Sequence, residues 1–304
     1  MCRVNTRSQR NFTAVAHLRE WLLLLGEASG LDGRRVALRE CSRLLGVSQP
    51  LAGAWLQAIP GPEQFRISSN LYVICLQRRL GLPIHMASAA NVGAAETLGD
   101  ELLKEREHTT RHNKVVAAWV RAVRAARGAK YTRATSVAPD WSAPSVPDGV
   151  SEYAGQAGAH QALEVKVYNT IVSEAAQLLR GATLAFGATR AKLLSEILGD
   201  YADPAVVPPR HDGAPREAKY QVALDGGHDV LALICEVWGG FAPESMRFLG
   251  ELAQQRGDRA DFERESATWS TTSFMSYHGQ LLSLAVQMGM ATEIDNNIRS
   301  THVY

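Results

Sequence analysis

The sequence predicts an α/β domain preceded by a helical N-terminal region, and three observations carry that expectation. Residues Asp229 to Trp238 form an almost unbroken apolar run through Val230, Leu231, Leu233, Ile234 and Val237, as in a strand buried on both faces. Residues Leu163 to Asn169 read as a second strand, with Leu163, Val165 and Val167 on one side and Glu164, Lys166 and Tyr168 on the other. That alternation predicts one core face and one polar face. After residue 130 strand and helix patterns alternate, which argues for packed layers, whereas the earlier segments are helical. The division expected is residues 1–86 as a helical N-terminal region and 87–304 as the α/β domain.

With 304 residues and 46% hydrophobic content, the chain can bury a sizeable core. The leucine run Leu22 to Leu25 is far too short to cross a bilayer, and the polar start around Arg3, Arg7 and Arg10 leads into no signal-peptide core. No membrane association is therefore expected, and an intracellular location, nuclear or cytoplasmic, is. Cys2, Cys41, Cys75 and Cys235 are scattered without a CxxC pair, so buried free thiols are expected rather than a zinc site or a disulfide scaffold. The net charge of +1 conceals a basic patch, because Lys104 to Arg133 holds nine Lys or Arg residues against Glu105 and Glu107.

Apolar residues three and four apart predict a helix from Asn11 to Glu27, on Val15, Leu18, Trp21, Leu22 and Leu25. From Val36 to Ala58 the pattern resembles a helix-turn-helix, with Gly46 at the turn and Ser48 as a cap for a helix Gln49 to Gln57. That second helix carries almost no Arg, Lys or Asn to read bases, so two packed helices joined by a tight turn are the preferred reading over a DNA-reading pair. A further helix spans Asn70 to Leu80, closed by Gly81 and Pro83. Thr97 with Asp100 resembles a capping box, opening a helix that runs on or restarts at Arg111. In that helix Val115, Trp119, Val120 and Val123 form an apolar stripe, and Lys114, Arg121 and Arg124 lie opposite. A short strand falls within Tyr131 to Val137. Beyond the Pro-rich segment come helices over Ser173 to Leu184 and Thr189 to Leu198, a loop over Gly199 to Pro215, the strand ended by Gly239-Gly240, and helices over Pro243 to Gln255 and Thr271 to Ile298.

Val146 to Asn169 is the stretch that suggests chemistry. Hydrolysis of a phosphodiester needs a nucleophilic water, stabilisation of charge at phosphorus and help for the leaving oxygen, all of which a hard divalent metal serves. Two carboxylates such as Asp148 and Glu164 suffice to hold Mg²⁺, which prefers oxygen and retains several waters. The Val165 carbonyl is a further candidate ligand. Lys166, on the face of Glu164, is placed to act as a point charge towards the attacking water or a phosphate oxygen.

Pro147-Asp148, fifteen intervening residues and Glu164-Val165-Lys166 resemble the PD-(D/E)XK motif of restriction-endonuclease-like domains. Arg78-Arg79-Leu80-Gly81-Leu82-Pro83, Leu98-Gly99-Asp100, Arg111-His112-Asn113, Ala185-Phe186-Gly187-Ala188-Thr189, Gly227-His228-Asp229-Val230 and Glu236-Val237-Trp238-Gly239-Gly240 accompany it in order. This order resembles the C-terminal region of retroelement reading frames of the LINE type that lie downstream of a reverse transcriptase. The resemblance spans roughly residues 50 to 295. It implies a restriction-endonuclease-like mixed sheet flanked by helices and a Mg²⁺-dependent endonuclease acting on DNA. Asp148 and Glu164 are then metal ligands, Asp148, Glu164 and Lys166 are catalytic, and Arg111, Lys114, Arg121 and Arg124 face nucleic acid. Association with a reverse transcriptase also follows from it.

Asp140, also after a proline, competes with Asp148, and Glu105 or Glu107 are loose candidates for an additional helix glutamate. His228 and Glu236 flank the later strand, where a turn histidine and a strand-end carboxylate are the preferred readings over catalytic ones. Where such relatives resemble zinc-knuckle proteins this chain has Ala90, Val92, Glu101 and Glu105, so no zinc is expected. The same departure keeps a second reading open: a catalytically inactive nucleic-acid-binding remnant of a mobile element.

Overall fold

The computed structural model describes residues 43–44, 46–58, 60, 63–82, 84, 103, 108–127, 131–132, 148–152, 160–168, 194, 197, 219–225, 227–256 and 273–301. The helix expected over Asn11 to Glu27 and the segments holding Ala90, Val92, Glu101, Glu105, Glu107, Asp140 and Ser173 to Leu184 lie outside the described residues. So does most of the segment Thr189 to Leu198, of which Leu194 and Ile197 are helical.

A four-stranded mixed sheet organises the described fold. In spatial order it runs β1 (Tyr131–Thr132), β2 (Gly149–Glu152), β3 (His160–Tyr168) and β4 (Asp229–Glu236). The first three strands pair antiparallel, and β4 lies parallel to β3 with Glu164 beside Ala232 and Lys166 beside Ile234. Parallel pairing requires a crossover, and residues 169–228 supply it, including helix α3 (Gln221–Asp225) just before β4.

Both faces of the sheet are covered. On one side, Leu163, Val165, Leu233 and Cys235 pack with helix α2 (His108–Arg127), helix α4 (Pro243–Arg256) and helix α5 (Phe274–Thr301). On the other, Ala162, Val230, Ala232 and Ile234 pack with Ile197, Tyr220 and Ala223. The expectation for β4, apolar on both faces, is met for this reason. The expectation for β3 needs correction: its supposed polar face carries Ala162 at 0% exposure and Glu164 at 2%. Glu164 therefore projects into a second, smaller core and not into solvent.

Helix α5 is apolar nearly all round, with Leu282, Val286, Met290, Ala291 and Ile294 buried, as a central helix must be. It packs along α2, and Gly289 permits the close approach, since a Cβ there would stand 2.7 Å from the Arg111 Cα. The helical N-terminal residues join the same core. Ile74 and Cys75, from helix α1 (Ser69–Leu80), and Trp55 and Phe65 cluster with Leu282 and Val286. As the sequence suggests, Gly81 closes α1 in the left-handed conformation (φ 70°), and the Leu82 N–H reaches back to the Gln77 carbonyl.

The helix-turn-helix expectation is overturned. Where a helix Gln49 to Gln57 was expected, turn residues lead through Leu51, whose φ is +66°, into a single 3₁₀ turn at Ala54–Gln57. A left-handed leucine interrupts helical geometry, and packing of its side chain against the main core holds it there. Ser48 does not cap a helix; its hydroxyl donates to the Leu44 carbonyl at 2.7 Å. The Arg79 guanidinium donates to the carbonyls of Ala52 and Val47, tying this irregular segment to α1. Among the described residues no helix is long and apolar enough to cross a membrane.

Candidate functional site

Antiparallel pairing of β2 with β3 ends at Gly149 opposite Leu163. Asp148 is the residue immediately before β2, and its side chain reaches the neighbouring strand β3 at Val165. In a strand the N–H and C=O of one residue point the same way, so Val165 presents both towards the side from which β2 has departed. Side chains satisfy them instead. Asp148 Oδ2 accepts the Val165 N–H at 2.7 Å, and His112 Nε2 lies 3.2 Å from the Val165 carbonyl oxygen and 3.1 Å from Asp148 Oδ2.

This geometry fixes the imidazole's proton. A carbonyl oxygen only accepts, so His112 carries its hydrogen on Nε2 and donates towards both oxygens. The hydrogen bond to Asp148 raises the pKa of His112 above its ordinary value, against an opposing effect of burial. His112 comes from the first turns of α2, whose apolar face (Val115, Trp119, Val123) seats the helix against β3.

Glu164 is held from three directions. Lys166 Nζ lies 2.6 Å and Lys219 Nζ 2.8 Å from its Oε1, and the Tyr220 hydroxyl donates to Oε2 at 2.5 Å. A buried carboxylate needs such compensation, because desolvation of an unpaired charge costs several kcal/mol or more. Tyr220 is itself buried, and burial followed by the bond to Glu164 raises its pKa, so the phenol keeps its proton and donates it. The two lysines leave their ammonium groups at the edge of the site, with side chains 37% and 34% exposed.

The structure thus pairs Glu164 with Lys166 directly and ties Asp148 to the Val165 peptide that lies between them in sequence. Sequence reasoning missed Lys219 and Tyr220, which enter from 55 and 56 residues away along the chain. It named His112 within the Arg-His-Asn segment but gave it no part at the acids. Of the four residues expected to face nucleic acid, Arg121 and Arg124 are exposed and Lys114 half-buried. Arg111 is a correction. It is 2% exposed, between α2 and α5, with its Nη1 3.4 Å from Glu293 and its backbone N–H donating to the same carboxylate at 3.0 Å. Helical spacing turns residue 111 towards the buried stripe of Val115 and away from Arg121 and Arg124, so Arg111 serves the core.

His228 and Glu236 lie at the two ends of β4, away from this cluster in sequence register: Asp229 pairs with Gln161 and Glu236 with Tyr168. Burial alone raises the Glu236 carboxyl to about 7. Among the described residues no group of three or more His, Cys, Asp and Glu side chains is assembled as a metal cage. Cys75 and Cys235 are buried free thiols, as expected, and burial pushes Cys75 up to about 12. Comparison with protein-family models, with curated proteins and with solved structures gives no match to this chain.

Proposed function

We propose that this protein is a Mg²⁺-dependent endonuclease of restriction-endonuclease-like architecture, hydrolysing phosphodiester bonds of DNA at the Asp148–Glu164–Lys166 centre. One observation carries the reading: the carboxylate of Asp148 is bonded to the peptide N–H of Val165, within the Glu164-Val165-Lys166 segment. That bond holds Asp148 against the strand that carries Glu164 and Lys166, which supports a shared site for the three. The mixed sheet with helices packed on both faces agrees with what the PD-(D/E)XK resemblance implies. The ordered motifs around it support descent from a retroelement and association with a reverse transcriptase.

The donor set fits a hard cation. Asp148 Oδ2 and the Val165 carbonyl both approach a single point, now taken by the His112 N–H, and both are oxygen donors of the kind Mg²⁺ prefers. Glu164 already gathers positive charge and would exchange one lysine contact for the metal. When bound, the ion supplies Lewis acidity and a more acidic water. The protein's own groups do the rest. Asp148 fixes the edge peptide through the Val165 N–H, His112 donates from Nε2 to the same two oxygens while no metal is bound, and Lys166 places an ammonium beside Glu164 where a phosphate oxygen gains charge. Arg121 and Arg124 on α2 add electrostatic attraction to the polymer.

A second reading has its own observation. Both oxygens of Glu164 are satisfied by Lys166, Lys219 and Tyr220 without any metal, which suits an inactive nucleic-acid-binding remnant. Strand scission separates the two. Supercoiled plasmid incubated with Mg²⁺ is nicked by the endonuclease, and Lys166→Ala lowers the rate at least about 100-fold with an unchanged circular dichroism spectrum, the scale of a lost transition-state charge. Salt-sensitive binding without scission under any divalent metal selects the remnant instead.

A further inference from the structure

Lys219 lies outside the sequence motif, yet it converges with Lys166 on one oxygen atom. Both ammonium groups contact Glu164 Oε1, at 2.6 and 2.8 Å, so they stand no farther apart than those two distances together. Two like charges so close repel, and one carboxylate offsets only one of them. The cluster of Glu164, Lys166 and Lys219 keeps a surplus positive charge, at the edge of a site whose floor is a buried glutamate and a buried tyrosine. Each ammonium has three N–H donors, and each side chain is about a third exposed. Donors therefore remain on the solvent side of both. Lys219 is also braced from below, with its Nζ 4.9 Å from the centroid of the Tyr220 ring, and Tyr220 is anchored through its hydroxyl to Oε2. The pair is thus pre-positioned by a rigid carboxylate, which spares part of the ordering cost that two free lysines would meet on binding.

We propose that Lys166 and Lys219 form a two-lysine clamp for one phosphate of a polynucleotide backbone, with Glu164 and Tyr220 as the groups that position it. The inference rests on the nucleic-acid reading above, but it requires neither a metal nor cleavage. Its ligand chemistry is a phosphate oxyanion with two non-bridging oxygens, one for each ammonium. The source is a phosphodiester in a chain, as the nucleic-acid reading above implies, and a lone phosphate ion is the alternative that the test separates.

The test is binding without chemistry. A fluorescent oligonucleotide of about twenty nucleotides is titrated in EDTA with wild type, Lys219→Met and Lys219→Arg, across a range of salt concentrations. The clamp predicts that Lys219→Met, which keeps the packing on Tyr220, weakens binding about five- to tenfold and flattens the log–log salt slope by about one. Lys219→Arg restores most of both. A purely structural counter-ion of Glu164 would leave the slope unchanged, and equal slopes for wild type and Lys219→Met overturn the clamp. Competition by inorganic phosphate supplies the second arm. Displacement only at concentrations far above that of competing oligonucleotide supports the polymer, and equal potency overturns it. Loss of scission with the clamp's signature intact removes the hydrolytic reading alone, and scission without that signature removes the clamp alone.

Discussion

Asp148 accepts the backbone N–H of Val165 at 2.7 Å through Oδ2. The bond joins an acid at the entry to one strand with the peptide between the glutamate and lysine of the next, where backbone pairing has run out. It ties the shape of the site to the register of the sheet, so a change at Asp148 is felt in both.

Replacing Asp148 by Ala leaves the Val165 N–H and the His112 Nε2–H without their shared acceptor. The expected loss of stability is about 1–3 kcal/mol, from a partly buried donor left unsatisfied. Urea denaturation measures it, and Asp148→Asn, which retains an acceptor oxygen, loses clearly less.

Arg111 is a core residue, and its substitutions report on folding. Glu293→Leu removes the carboxylate beside the buried guanidinium and costs about 3–5 kcal/mol, whereas the double variant Arg111→Met/Glu293→Leu regains part of that, as when a buried ion pair is exchanged for apolar packing, the residue-111 N–H still lacking its acceptor. A double-mutant cycle in chemical denaturation gives the coupling. No recovery in the double variant would contradict the pairing.

Glu236 makes stability depend on pH with a defined sign. Its carboxyl is raised by burial from 4.5 to about 7, so the folded chain binds the proton more tightly than the unfolded chain does. The resulting stabilisation is complete below about pH 4.5 and is lost as pH rises through about 7, a change on the order of 3 kcal/mol for such a shift. Glu236→Gln removes that dependence. The difference in unfolding free energy between variant and wild type therefore moves in favour of the variant between about pH 5 and pH 8. A difference that stays constant over this interval would place the carboxylate in a polar setting.

How much of this was legible depends on where the information sits. The run through Leu231, Leu233 and Ile234 announces β4 because a strand with two covered faces must be apolar on both. The helices α1, α4 and α5 follow from spacing and from Gly81 as a stop. Glu164 and Lys166 are legible as a pair because alternation puts them on one face. The burial of Glu164 is not, since it depends on Tyr220 and Ile197, which cover that face from distant segments. Lys219 carries no local mark either. Arg111 was misread because a basic helix invites a surface reading, while its partner Glu293 lies 182 residues away. The helix expected after Ser48 fails at Leu51, where tertiary packing imposes a backbone conformation that leucine itself disfavours.

The central claim is that Asp148, Glu164 and Lys166 make a centre that cleaves phosphodiester bonds. The most direct measurement is single-turnover cleavage of a labelled DNA duplex by wild type and Asp148→Asn as Mg²⁺ is raised from zero. The account predicts no cleavage without the metal, a saturating rise for wild type, and a rate at least about 100-fold lower for Asp148→Asn in a folded protein. Cleavage that is independent of Mg²⁺, or equally fast in wild type and Asp148→Asn, would contradict it.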